Sequence, residues 1–92
     1  MNNNEQHCTV LLFGNLRNYL PSGRMDFRFP PGITVKELRK LLSMAIKEKN
    51  SAFPGERALS SAAIAVQDRV LSEEERVESR GEIAVLPPVC GG

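Results

Sequence analysis

Long apolar runs are missing from this 92-residue sequence. Stretches such as Val10-Leu11-Leu12-Phe13 are strand-sized and fall far short of the roughly twenty residues that cross a bilayer. A surplus of one charge is missing too. Twelve Lys and Arg against eleven Asp and Glu leave +1, so no whole-molecule field recruits nucleic acid or an anionic membrane. The first six residues, Met1 to Gln6, carry neither a basic start nor an apolar stretch and so do not look like a signal peptide; a polar, flexible leader is the expectation. Cytoplasmic residence is the expectation. Cysteine is scarce: Cys8 and Cys90 stand near opposite ends and show no CxxC or Cys/His spacing, so metal binding has no support. Were the first and last strands neighbours, a disulfide would be conceivable, but a reducing compartment keeps both thiols free. No Ser/His/Asp set, paired-acid motif or glycine-rich phosphate loop is present, and His7, the only histidine, has no visible role. Nothing points to an independent active site.

What is there organises into one domain, expected over residues 7–86. Cys8 to Phe13 reads as a buried strand, closed by Gly14-Asn15. Leu16, Tyr19 and Leu20 have the spacing of a short helical turn that Pro21-Ser22-Gly23 stops. Met25, Phe27 and Phe29 alternate with Asp26 and Arg28, a second strand with one apolar face. Thr34-Val35-Lys36-Glu37 is a capping box at a helix start, with Ile33 and Leu38 placed as a hydrophobic staple. Val35, Leu38, Leu41, Leu42 and Ala45 form the helix's apolar stripe; Lys36, Arg39, Lys40 and Lys47 are assigned to its wet side. The helix is expected to end near Lys49-Asn50 and to be followed by an irregular connection from Asn50 to Ser60. Ala62 to Val66 then makes a strand, Val70-Leu71 a short one, and Ser72 to Glu75 an N-cap starting one helical turn. Glu73, Glu74, Glu75 and Glu78 are read as a solvated acidic run. Ile83 to Leu86 is the last strand. Two strands, one helix and more strands suggest an α+β layout, a mixed sheet with one main helix packed on one face, which a β-grasp domain satisfies.

The end of the sequence, Pro87-Pro88-Val89-Cys90-Gly91-Gly92, is chemically different. Two prolines cannot continue a strand, because they donate no amide hydrogen and fix φ. They favour extended polyproline geometry, so residues 87–92 should project as a semi-rigid arm at most about 20 Å long, long enough to enter a partner's active site. Gly91 and Gly92 lack Cβ and can thread a narrow channel, giving another enzyme access to the Gly92 carboxyl carbon. A carboxylate at neutral pH is ionised and a poor electrophile, so acyl chemistry there needs activation, for which adenylation by a partner using ATP is the natural route. No cofactor bound by this chain itself is expected.

This hexapeptide resembles the terminus of the MoaD/ThiS family of ubiquitin-like sulfur carriers, and is most similar to the MoaD group. The likeness extends over Leu11-Leu12-Phe13-Gly14-Asn15-Leu16-Arg17, Pro31-Gly32-Ile33-Thr34-Val35 and Glu82-Ile83-Ala84-Val85-Leu86, nearly the whole chain. It implies a β-grasp fold, adenylation of Gly92 by a MoeB-like activating enzyme, and replacement of one terminal oxygen by sulfur to give a thiocarboxylate. In the MoaD group the tail, here Pro87, Pro88, Val89 and Cys90 leading to Gly91 and Gly92, inserts into a MoaE-like large subunit of molybdopterin synthase and delivers sulfur to a molybdopterin precursor. Three places differ from the family pattern: Cys90, Gln67-Asp68, and Ser79-Arg80-Gly81-Glu82. Cys90 is taken as a tolerated small residue rather than a persulfide carrier, and Cys8 as a small buried hydrophobe. Other acceptors (in tRNA thiolation, thiamine or cysteine synthesis), a ubiquitin-like modifier forming isopeptide bonds through Gly92, and a binding module with an incidental tail remain the alternatives.

Overall fold

The computed structural model describes residues 5–78 and 81–88. Five strands and one long helix are arranged as β1 (Gln6–Leu12), β2 (Arg24–Phe29), α1 (Val35–Lys49), a short α2 (Glu56–Leu59), β3 (Ala63–Val66), β4 (Arg69–Val70) and β5 (Glu82–Leu86). They form one mixed sheet in the order β2-β1-β5-β3-β4. The first and last strands are neighbours and run parallel, Val10 opposite Ile83 and Leu12 opposite Val85, while β2, β3 and β4 pair antiparallel. A parallel pair needs a long crossover, and α1 supplies it while covering one face. This is the expected α+β, β-grasp architecture.

Strand periodicity decides what faces the helix. Met25, Phe27 and Phe29 are buried and alternate with exposed Arg24, Asp26 and Arg28, as their spacing predicts. On β1, Cys8, Val10 and Leu12 enter the core. Phe13 does not: the strand ends at Leu12, and Phe13 caps a 3₁₀ turn over Gly14–Tyr19 with 42% of its surface exposed. The run Val10 to Phe13 is therefore one buried face and one open face, rather than a strand buried throughout.

The capping box forms as expected. The Glu37 amide donates to Thr34 Oγ1 at 3.3 Å, and the Thr34 amide donates to Glu37 Oε1 at 3.0 Å. Val35, Leu38, Leu42 and Ile46 are fully buried, whereas Leu41 and Ala45 sit at the stripe's half-buried margin. The stripe extends past the expected residues to Ile46, one turn beyond Leu42. The connection after the helix is more ordered than composition suggests, because α2 forms and Phe53 and Leu59 fill the core's end, Phe53 edge-on to Tyr19 at 5.0 Å.

Ser72 to Glu75 starts no helix. It closes a turn, with the Glu75 amide donating to the Ser72 carbonyl at 3.1 Å, and the Glu73 and Glu75 carbonyls are used elsewhere. The Val35 and Lys36 amides, free at the helix start, donate to the Glu75 and Glu73 carbonyls at 3.0 and 3.2 Å. The turn thus caps α1.

Two further residue assignments change. Arg39 is not on a wet face: its side chain is 11% exposed and its guanidinium holds both Glu73 carboxylate oxygens and the Leu59 and Ala62 carbonyls, the last two at 2.5 and 2.6 Å. It ties α1 to α2, β3 and the capping turn. Nor is the acidic run simply solvated, since Glu73 pairs with Arg39 and Glu75 with Arg69. Hydrogen bonding from Arg39 holds the Glu73 carboxyl below its ordinary range; Arg69 does the same for Glu75, helped by the Ser72 amide.

Candidate functional site: the root of the C-terminal arm

The arm grows from the middle of the sheet. Strand β5 is bonded to β1 on one side and β3 on the other, so the segment leaving it is anchored from both sides. Pairing stops after Leu86, where Pro87 and Pro88 follow, as proline chemistry requires. Pro87 is half-buried and Pro88 exposed. Val89, Cys90, Gly91 and Gly92 lie outside the described residues, so the sites expected there have no geometry to report.

The root is packed against β1. The Phe13 amide donates to the Val85 carbonyl at 3.1 Å, extending the parallel pairing one step past the strand. Gly14 then turns the chain away at φ +59°, and the Pro87 ring lies so close that a Cβ on Gly14 would sit 2.6 Å from its Cγ. Only glycine fits both the dihedral and the space.

On the sheet face away from α1, the register lines up Leu11, Ala84, Ala65 and Val70 across four strands. With Phe13 and Leu86 they line an open groove of about 410 Å³ whose polar lining is Gln67, Asp68 and Glu82. Phe13 and Val70 are 42% and 60% exposed, large apolar side chains on an open face. The groove borders Leu86, the residue before the arm. Sequence reading did not assign this face. Its signal was present, because strands that are apolar at both parities have two apolar faces and α1 covers only one.

The hairpin at one end of the groove turns through Gln67 and Asp68, at φ +50° and +67°. Consecutive positive φ values are the requirement of a two-residue I′ turn, which Asn-Gly meets more easily than Gln-Asp. Elsewhere, burial and the nearby Asp26 push the Cys8 thiol up to about 11, which leaves it an inert, free thiol inside the core. Among the described residues no group of His, Cys, Asp and Glu is placed to hold a metal, and no helix is long and apolar enough to cross a membrane.

Comparison with solved structures places this geometry. A protein described as molybdopterin converting factor subunit 1 from Pyrococcus furiosus superposes with a TM-score of 0.65 at 22% identity, over 91% of this chain and 99% of that one. Small archaeal modifier protein 1 from Haloferax volcanii gives 0.67 at 20% identity, over 94% and 99%. Subunit 1 in the complex of subunits 1 and 2 of the molybdopterin-converting factor from Helicobacter pylori gives 0.52 at 26% identity, over 95% and 100%. No curated protein matches the chain. The ThiS family profile matches residues 10–92, from the first core strand through the whole arm. With its mixed five-stranded sheet, single crossover helix and Gly-Gly arm, the chain belongs to the ThiS family of ubiquitin-like sulfur carriers.

Proposed function

We propose that this protein carries sulfur as a thiocarboxylate on Gly92 and acts as the small subunit of a molybdopterin synthase. The observation that carries the reading is the family match running to Gly92 itself, on an arm rooted in the central strand. A Gly92 carboxylate oxygen attacks the α-phosphorus of ATP on a partner enzyme, pyrophosphate leaves, and an acyl adenylate forms. A sulfur nucleophile then attacks the carbonyl carbon and AMP departs with one of the original oxygens.

This chain's part is presentation. Pro87 and Pro88 limit the arm's directions, Val89 and Cys90 occupy the partner's channel, and Gly91 and Gly92 leave the carbonyl accessible. The adenylating enzyme docks on the groove of Leu11, Phe13, Ala65, Val70, Ala84 and Leu86, because a partner seated there meets the arm where it leaves the sheet. The large synthase subunit takes the charged arm afterwards. The Helicobacter pylori relative, solved as a complex of its two subunits, supports such a partner.

Co-expression with an adenylating enzyme and a sulfur donor tests the reading. Intact-mass analysis should show one oxygen-to-sulfur exchange, lost when a residue is added after Gly92, and the charged carrier should convert precursor in the presence of the large subunit. Persistent absence of the exchange removes sulfur carriage. Charging without conversion moves the acceptor elsewhere, and Gly92 adducts on lysines in lysate would indicate a modifier.

A further inference from the structure

From the contact at the root of the arm, we infer that Gly14 is a positioning residue for the Gly92 carboxyl, the seat on which the arm's first proline rests; this builds on the reading that Gly92 is the group acted upon. Three observations meet at this point. Gly14 adopts φ +59°, and it follows directly on Phe13, whose amide is bonded to the Val85 carbonyl at 3.1 Å. A Cβ there would lie 2.6 Å from Pro87 Cγ and 3.4 Å from Pro87 Cδ, so the ring lies against the glycine backbone. Pro87 is half-buried although no strand pairing holds it.

A proline ring is fused to its own backbone and cannot swing aside as a long side chain can. Whatever fills the space over Gly14 must therefore displace the main chain of the arm. Pro88 follows at once and transmits the change, because consecutive prolines behave as a semi-rigid rod. A rotation at Pro87 therefore redirects the Pro87-Pro88 root from which the segment carrying Gly92 sets out. Most of the apolar groove that docks the partner, Leu11, Ala65, Val70 and Ala84, lies on strands away from the collision, and only Phe13 and Leu86 border it. Gly14 thus sets the arm's direction while the groove sets its affinity, and activation requires both, since a reacting atom misplaced by about 1 Å loses much of its rate.

The test uses the full-length carrier and an adenylating enzyme, with ATP–pyrophosphate exchange measured against carrier concentration. Gly14→Ala should lower kcat about tenfold with KM little changed, the signature of correct docking with a misdirected arm. Gly32→Ala is the control for backbone strain, since Gly32 has φ +81° and nothing within 4 Å of its added Cβ; its kcat should match the parent. In a Pro87→Ala background, where the ring that collides is gone, Gly14→Ala should cost far less of the remaining kcat than it does in the parent, a coupling that an unfolded variant cannot show. In spectra of the free protein, the nuclear Overhauser contact between the Gly14 α-protons and the Pro87 ring should be present in the parent and altered in Gly14→Ala. Parent-like kcat in Gly14→Ala, or an equal fold loss from Gly14→Ala with and without the Pro87 ring, overturns the inference while leaving the Gly92 reading intact. A parent carrier that is not activated at all overturns both.

Discussion

Arg39 shows how one side chain can join elements that sequence order keeps apart. Its guanidinium is satisfied by a carboxylate and two main-chain carbonyls, one from Leu59 at the end of α2 and one from Ala62 just before β3. Arg39→Ala should cost about 2–3 kcal/mol in denaturant unfolding, because it strands those carbonyls as well as Glu73. Arg39→Lys should recover only part, since a point charge cannot fill a planar fork. The pH sign follows from the carboxylate. Glu73 is held below its ordinary range, so its contribution is present above the unfolded carboxylate range and is lost as pH falls through the folded value. Cys8 titrates in the opposite sense. With its thiol raised from 9.0 to about 11, its contribution is intact below pH 9 and is lost as pH rises through about 11. Alkylation at pH 8 should leave Cys8 unmodified in the folded chain and modify it in denaturant, as peptide mass mapping would show.

At the scale of elements, the capping box and the β2 alternation were legible because each is written in four to six consecutive residues. The Ser72 to Glu75 turn was not. Its residues satisfy an N-cap pattern, and the Ser72 amide does donate to the Glu75 carboxylate at 3.2 Å. Its carbonyls, however, are drawn to the amides of α1, and the Val77 amide donates to the Ile33 carbonyl at 2.8 Å, so tertiary bonds outcompete a helical continuation. Between β3 and β4, Gln67 and Asp68 hold left-handed conformations for which Asn-Gly is better suited. Gln67→Asn with Asp68→Gly should raise stability by roughly 1 kcal/mol in thermal or urea unfolding. A loss instead would mean that the wild-type side chains make contacts worth more than the strain they carry.

On the scale of the whole molecule, one sheet has two apolar faces and one long helix, which covers only one of them. The uncovered face carries Phe13 and Val70, and because both are well exposed, changing them should hardly disturb folding. Phe13→Ser and Val70→Asp should each leave unfolding free energy within about 0.5 kcal/mol of the parent. In calorimetric titration each should weaken binding of the adenylating enzyme about tenfold or more. Strong destabilisation instead would place these side chains in the core. Local pattern by itself determined the helix and its cap, the buried face of β2 and the halt of β5 at Pro87. Each of these follows from dihedral limits, missing donors or side-chain period within a few residues. Only the tertiary structure decided that Phe13 turns outward, that Arg39 turns inward, and that Gly14 lies beneath Pro87. Those outcomes depend on which strands become neighbours, and the parallel pairing of β1 with β5 brings together residues more than seventy positions apart.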